Sequence, residues 1–177
     1  MFLWFLTINL NLIVTRKEYK MNITQLCYAS KRIESEYTLL DDLREILVKS
    51  RDYNAKNDIC GVLYYAHGYY FQCVQGKYES VIALYHKIIQ DTRHSEIKLI
   101  QHKSIEKRCF EQWSMKYVQQ DTELSNFFIN TGMNCFRPLE VTEKMIDNFI
   151  DIILKYKLTE KEIANQGFMN RGYCNYF

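Results

Sequence analysis

Apolar residues recur along this chain with two different periods, and the points where the period changes divide it into elements. From Ile23 to Ser30 the run ITQLCYAS alternates, with Leu26, Tyr28 and Ser30 on one face and Cys27 and Ala29 on the other, which predicts a first strand. Leu39, Leu40, Leu43, Ile46 and Leu47 then recur at helical spacing and predict a helix from Thr38 to about Arg51. Asp41 and Asp42 stand early in it and Lys49 and Arg51 late, as the helix dipole prefers, and Thr38 with Asp41 resembles a capping box. After the polar stretch DYNAKND come two aromatic-rich runs in ICGVLYYAHGYYFQCVQG, split by His67 and Gly68, a pair suited to a tight hairpin. Val81, Ile82, Leu84, Tyr85, Ile88 and Ile89 predict a second helix from about Ser80 to Gln90. Ile97 to Ser104 and Trp113 to Gln119 read as strands four and five. The order is βαββαββ, which packs most simply as two helices on one face of a single antiparallel or mixed sheet, an α+β sandwich of ferredoxin-like type.

This core occupies residues 21–120, and a helical extension follows over 121–157. Leu124 to Phe128 starts a short helix and Pro138 breaks the chain. Thr142 to about Tyr156 then carries Met145, Ile146, Phe149, Ile150, Ile153 and Leu154 on one side, with Val141 and Ile146 placed to staple its start. Such a stripe must cover the free face of the sheet or bind another chain. Residues 158–177 read as a loose tail, since NQGFMNRGYCNYF lacks any period. Residues 1–20 form an apolar extension whose basic residues, Arg16, Lys17 and Lys20, come after the apolar run, and it is short for a bilayer span. Met21, just before the first strand, is the expected biological start. An interfacial anchor or an ordinary packed segment is the alternative for the leader.

Composition narrows the function classes. The formal charge is +2 and the signs alternate along the chain, which argues against a dedicated nucleic-acid surface. The six cysteines are far apart with no metal-knuckle spacing, and several lie inside apolar strands, the pattern of reduced thiols in a cytoplasmic protein. Neither GxGxxG, a phosphate-binding GK[ST] loop, HExxH nor GxSxG occurs, so a catalytic function has little support. Two residues stand out instead. Gln72 places an amide inside YYFQCVQ, and Tyr28 places a hydroxyl in the middle of strand one. Either group, if buried, needs a partner, because an unpaired one costs about 1–3 kcal/mol. The two could satisfy each other, or the backbone, as a purely structural network.

At these residues the chain becomes recognisable. LCYAS, NAKNDICGVLYY, FQCVQG, KIIQDTRH and FEQWSM resemble, in order and spacing, the signature segments of BLUF photoreceptors over about residues 23–119. The resemblance implies non-covalently bound FAD, with Tyr28 as electron and proton donor and Gln72 as the amide that bridges tyrosine and flavin. It places Asn54 at the polar edge of the ring, and Asp91, His94, Lys87 and Arg93 at or near the flavin edge. Ile46 and Ile88 would sandwich the ring, and Ser30 would join the cofactor-binding set. Trp113 and Met115 share one face of strand five by the two-residue period, and one of them would approach Gln72 and report its state. Cys60, Gln75 and Lys87 depart from the family's usual threonine, glutamate and arginine, which bears on cofactor affinity and dark recovery more than on photochemistry. The implied function is that of a light-responsive interaction module, not an enzyme, signalling to a protein partner such as a transcriptional regulator. A homo-oligomer is compatible with it, and neither direct nucleic-acid contact nor a membrane is implied. The alternatives are a light-blind redox or temperature-responsive relative, and a ferredoxin-like hydrolase or flavin reductase using Lys31, Arg32 or Asn54.

Overall fold

The computed structural model describes residues 23–34, 38–117 and 123–165. The leader and residues 166–177 of the expected tail lie outside the described residues, as do the last two positions of the expected fifth strand.

Strands β1 (Ile23–Arg32), β2 (Cys60–Ala66) and β3 (Tyr69–Lys77) are buried along almost their whole length. A sheet covered on both faces has no wet side to alternate with, which is why CGVLYYA and YYFQCVQ read as nearly continuous apolar runs. With β4 (His94–Ile105) and β5 (Trp113–Tyr117) they form one five-stranded sheet of order β4-β1-β3-β2-β5. Every neighbour is antiparallel except β2 and β5, which run parallel, so the sheet is mixed.

Helices α1 (Leu39–Lys56) and α2 (Tyr78–Ile89) lie on one face, where Leu43, Ile46, Val81 and Leu84 pack with Leu26, Tyr28, Leu63 and Val74. Helices α3 (Glu123–Asn130) and α4 (Glu143–Asn165) lie on the other, with Phe128, Ile146, Phe149 and Ile153 against Cys27, Val62 and Phe71. The stripe along α4 thus covers the free face of the sheet. Each such side chain contributes about 1.5–3 kcal/mol relative to exposure, which is what seats the extension on the core.

Two glycines are required by geometry. The β2–β3 hairpin turns through His67 at φ 51° and Gly68 at φ 82°, the two consecutive positive values of a type I′ turn closed by the Ala66–Tyr69 pair. Gly61 has φ 150°, and a Cβ there would stand 2.1 Å from the Cys73 carbonyl oxygen.

Three expected boundaries move. Helix α1 does not stop at Arg51 but continues to Lys56, because DYNAK holds no glycine or proline, and the helix ends at Asn57 and Asp58, the latter at φ 53°. Strand β4 begins at His94 instead of Ile97, since His94 and Ser95 pair with Arg32 and Lys31. Helix α4 runs past Tyr156 to Asn165, so residues 158–165, expected in the tail, are helical; LTEKEIA is built from strong helix formers. The Thr38 cap stands as expected, its hydroxyl accepting from the Asp41 N–H at 3.3 Å. Among the described residues no helix is long and apolar enough to cross a membrane.

Candidate functional site

The pairing of β1 with β3 sets Tyr28 directly opposite Gln72, and both side chains point to the α1–α2 face. Tyr28 Oη donates to Gln72 Oε1 at 2.7 Å, with Tyr28 1% and Gln72 3% exposed. Each polar group of the pair therefore answers the other's need in the core. Burial, followed by the charges of Tyr70 and Asp91, pushes the Tyr28 phenol well above its ordinary value, so it is a neutral hydroxyl at any physiological pH. A register shift between Cys27 and Tyr28, where β1 meets β4, bends the strand beside this pair, as bulges near functional sites do.

Around the phenol stand further polar and aromatic groups. The Tyr85 ring of α2 lies 5.7 Å from that of Tyr28, and the His94 ring lies 6.4 Å away. His94 Nδ1 and Ser30 Oγ are 2.7 Å apart, so the cross-strand neighbours β1 and β4 bring these two expected site residues together. Burial lowers the His94 imidazole to about 4, with Asp91 opposing and Arg93 reinforcing that shift. The unfolded chain, at the ordinary 6.5, then takes up the proton first as pH falls. Stability from keeping His94 neutral is complete above about pH 6.5 and is lost progressively toward pH 4, by on the order of 3 kcal/mol. Urea midpoints at pH 7.5 and pH 5 should therefore differ in the native chain, and His94→Gln should narrow that difference.

Asn54 occupies the last full turn of α1, three residues beyond the end expected for that helix. It is fully buried, and neither its Oδ1 nor its Nδ2 has a hydrogen-bond partner. Ile46, two turns earlier, is 5% exposed, and Ile88 of α2 packs on the same cluster. A donor and an acceptor left open together among apolar side chains are the groups that a planar polar heterocycle could satisfy. The Tyr70 hydroxyl and the Trp113 indole N–H, both buried on this face, likewise lack partners.

The charged candidates gather at the α2–β4 junction. Arg93 Nε donates to Asp91 Oδ1 at 2.9 Å, and Arg93 Nη1 reaches Glu45 of α1 at 3.2 Å. Burial would raise the Asp91 carboxyl, but its bonds to Arg93 outweigh that and hold it below the usual carboxylate range. Lys87 stands apart from this group: it is exposed, with Nζ 4.0 Å above the Tyr53 ring. On β5, Trp113 (8% exposed) lies beside Gly61, and Met115, partly buried, lies beside Leu63. Since Leu63 also faces Gln72 across β2–β3, one row runs Tyr28, Gln72, Leu63, Met115 over four strands.

Sequence reasoning missed two buried polar features. Arg32 Nε and Nη2 both donate to Asp42 Oδ2, at 2.9 and 2.6 Å, in an almost fully buried ion pair. Asp42 had been read only as a first-turn acid. On the opposite face Gln25, Gln75 and Gln101 are buried and linked in series, with Gln75 Nε2 to Gln25 Oε1 at 2.6 Å and Gln25 Nε2 to Gln101 Oε1 at 2.8 Å. Their signal was the one that exposed Gln72: an amide inside a buried strand.

Comparison with known proteins identifies the family. Residues 23–116 match the model of the BLUF family, described as sensors of blue-light using FAD. The chain belongs to the BLUF family. The photo-activated state of BlsA is 46% identical, covering 75% of this chain and 94% of BlsA with a TM-score of 0.69. BlrB, a BLUF protein solved in its dark state, is 23% identical with a TM-score of 0.63 over 78% of this chain and 99% of BlrB, and bears on the fold alone. The photoactivated adenylate cyclase subunit beta of Euglena longa is 30% identical over 100 residues, 56% of this chain and 11% of the cyclase subunit. This chain thus spans about a tenth of the length of that curated relative. As a BLUF domain it is a flavin-binding blue-light sensor of ferredoxin-like α+β fold. BLUF domains act through partner proteins or fused effector domains.

Proposed function

We propose that this chain binds FAD in the slot between α1 and α2 and uses Tyr28 and Gln72 to convert blue-light absorption into a hydrogen-bond rearrangement. The observation that carries this reading is the buried Tyr28–Gln72 bond of 2.7 Å on the same sheet face as the unpartnered polar groups of Asn54, Tyr70 and Trp113. Asn54 would hold the polar edge of the ring system with both amide atoms, Ile46 and Ile88 would clasp its faces, and Ser30, His94, Asp91 and Arg93 would border its edge, with Lys87 outermost. When bound, the flavin supplies the blue absorption and, once excited, a strong oxidant.

The remaining steps belong to the protein. Tyr28 gives up an electron, and its acidified hydroxyl passes its proton along the existing bond to Gln72 Oε1. An amide has an acceptor at one end and donors at the other, so Gln72 can relay that proton and, on its return, be left rotated or tautomerised. The atom it presents to its neighbours is then exchanged. Leu63 separates it from Met115 in the cross-sheet row, and Trp113 is one pleat further along β5, so these two report the change to the sheet edge. A changed hydrogen-bond set is worth about 1–2 kcal/mol, enough to shift a marginal docking equilibrium roughly tenfold. The recipient would be a cytoplasmic protein partner, such as a transcriptional regulator, met as a shift in populations of docked and free forms. Absorption spectra before and after blue illumination test the reading: a yellow protein should show a red shift that reverses in the dark, and a spectrum unmoved by light would sink it.

A further inference from the structure

On the sheet face turned away from Tyr28, the side chain of Gln75 stands between two thiols. Gln75 Nε2 lies 2.7 Å from Cys109 Sγ, and Gln75 Oε1 accepts from the Cys109 N–H at 2.9 Å. On the other side Cys60, directly opposite Gln75 in the β2–β3 ladder, places Sγ 3.5 Å from the Gln75 carbonyl oxygen and 4.0 Å from Oε1. The two sulfurs thus flank a single amide. Their environments differ: Cys109 is exposed in the β4–β5 connection, whereas Cys60 is 2% exposed. Lys107 and Arg108 precede Cys109 in sequence, and Arg108 is fixed in place by Asp58 at 2.7 and 2.8 Å. An accessible thiol and a buried one held against the two sides of one amide have the arrangement of a two-cysteine redox site.

We infer that Cys109 and Cys60 form a peroxide-responsive thiol pair that closes to a disulfide in place of the Gln75 bridge. The Cys109 thiolate attacks one oxygen of hydrogen peroxide, the O–O bond breaks, and hydroxide leaves, giving a sulfenic acid. The Cys60 sulfur then attacks Cys109 Sγ, the S–O bond breaks, and water departs with the Cys60 proton. Two thiols and one peroxide become one disulfide and two waters, with two electrons passing from sulfur to oxygen. Burial pushes the Cys60 thiol up, which suits it to resolve the sulfenic acid and not to make the first attack. Closing the bond expels the Gln75 amide from its contacts with Cys109 and with Gln25. Gln25 is the next link in a series that continues through Gln101 to Asp147 of α4, the last bond being 3.4 Å. Oxidation at the β4–β5 connection would therefore be felt by the helix that covers the sheet, independently of light.

The test uses the full chain, reduced, treated in the dark with a small excess of hydrogen peroxide, alkylated and mapped by mass spectrometry without reductant. The expected result is loss of alkylation at Cys60 and Cys109 and a linked peptide lighter by two hydrogens. Cys60→Ser should leave a sulfenic acid at Cys109 that dimedone labels, and Cys109→Ser should leave Cys60 reduced. Oxidation of Cys109 to sulfinate without a link to Cys60, or its pairing with Cys135 or with a second chain, would overturn the inference. Mapping of the native chain decides the matter even if a variant fails to fold.

Discussion

Replacing Tyr28 by Phe is expected to leave a yellow protein whose absorbance no longer responds to blue light. The substitution keeps the ring, which is 1% exposed and packed at 5.7 Å from Tyr85, and removes only the hydroxyl. Flavin binding should survive, because the open polar groups of the slot, Asn54 foremost, are untouched. The light response should vanish for two linked reasons. A phenylalanine ring is far harder to oxidise than a phenol, and it has no proton to hand to Gln72. Burial keeps the phenol protonated, so loss of its electron must be followed by loss of its proton in the native protein, and deleting the O–H removes both steps. Gln72 Oε1 also loses its 2.7 Å partner, which should lower stability by about 1 kcal/mol without unfolding the chain. Light-minus-dark difference spectra of the flavin-loaded variant check this, and an intact red shift would remove Tyr28 from its assigned role.

Much of this arrangement was legible in the chain because two periods do most of the specifying. The alternation of ITQLCYAS placed Tyr28 on a strand, and the interruption of YYFQCVQ by an amide picked out Gln72; their pairing needed only the register that two covered faces impose. The fit of α4 over the sheet was likewise implied by its stripe. Other features resisted for physical reasons. Asn54 looked like a loop residue because polar composition says nothing about whether a helix has ended, and only the packed structure shows its amide turned inward. Residues 94–96 fall outside the strand expected from Ile97 because His94, Ser95 and Glu96 include no apolar position and so carry no period. Arg32 and Asp42 are ten positions apart, and nothing in either neighbourhood announces that they bury a charge together. A flavin leaves no periodic trace in a sequence, and the unpartnered atoms proposed to meet it require coordinates to see.

Phe149→Ala is expected to have the largest effect on stability, about 3–5 kcal/mol, and to separate sensing from output. Phe149 is fully buried, with its ring centroid 4.8 Å from those of Phe71 and Phe127 and 5.4 Å from Phe128. Truncation removes the contact that joins α4, α3 and β3 and leaves a cavity among rings too rigid to fill it. The slot lies on the other face of the sheet, so the flavin should still bind and the Tyr28–Gln72 bond should still form. Phe71 and Gln72 are consecutive on β3 and point to opposite faces, one to Phe149 and the other to Tyr28. On the proposed reading, a displacement of β3 begun at Gln72 would therefore have a second branch beside the Leu63–Met115 row, reaching α4 through Phe71 and the ring of Phe149. Hydrogen exchange along α4 in darkness and under blue light should differ in the native chain. In the Ala variant α4 should exchange fast in both conditions while the absorbance shift persists. Equal light sensitivity of α4 in both proteins would mean that Phe149 carries none of the change and that the row through Leu63 and Met115 to the sheet edge carries it alone.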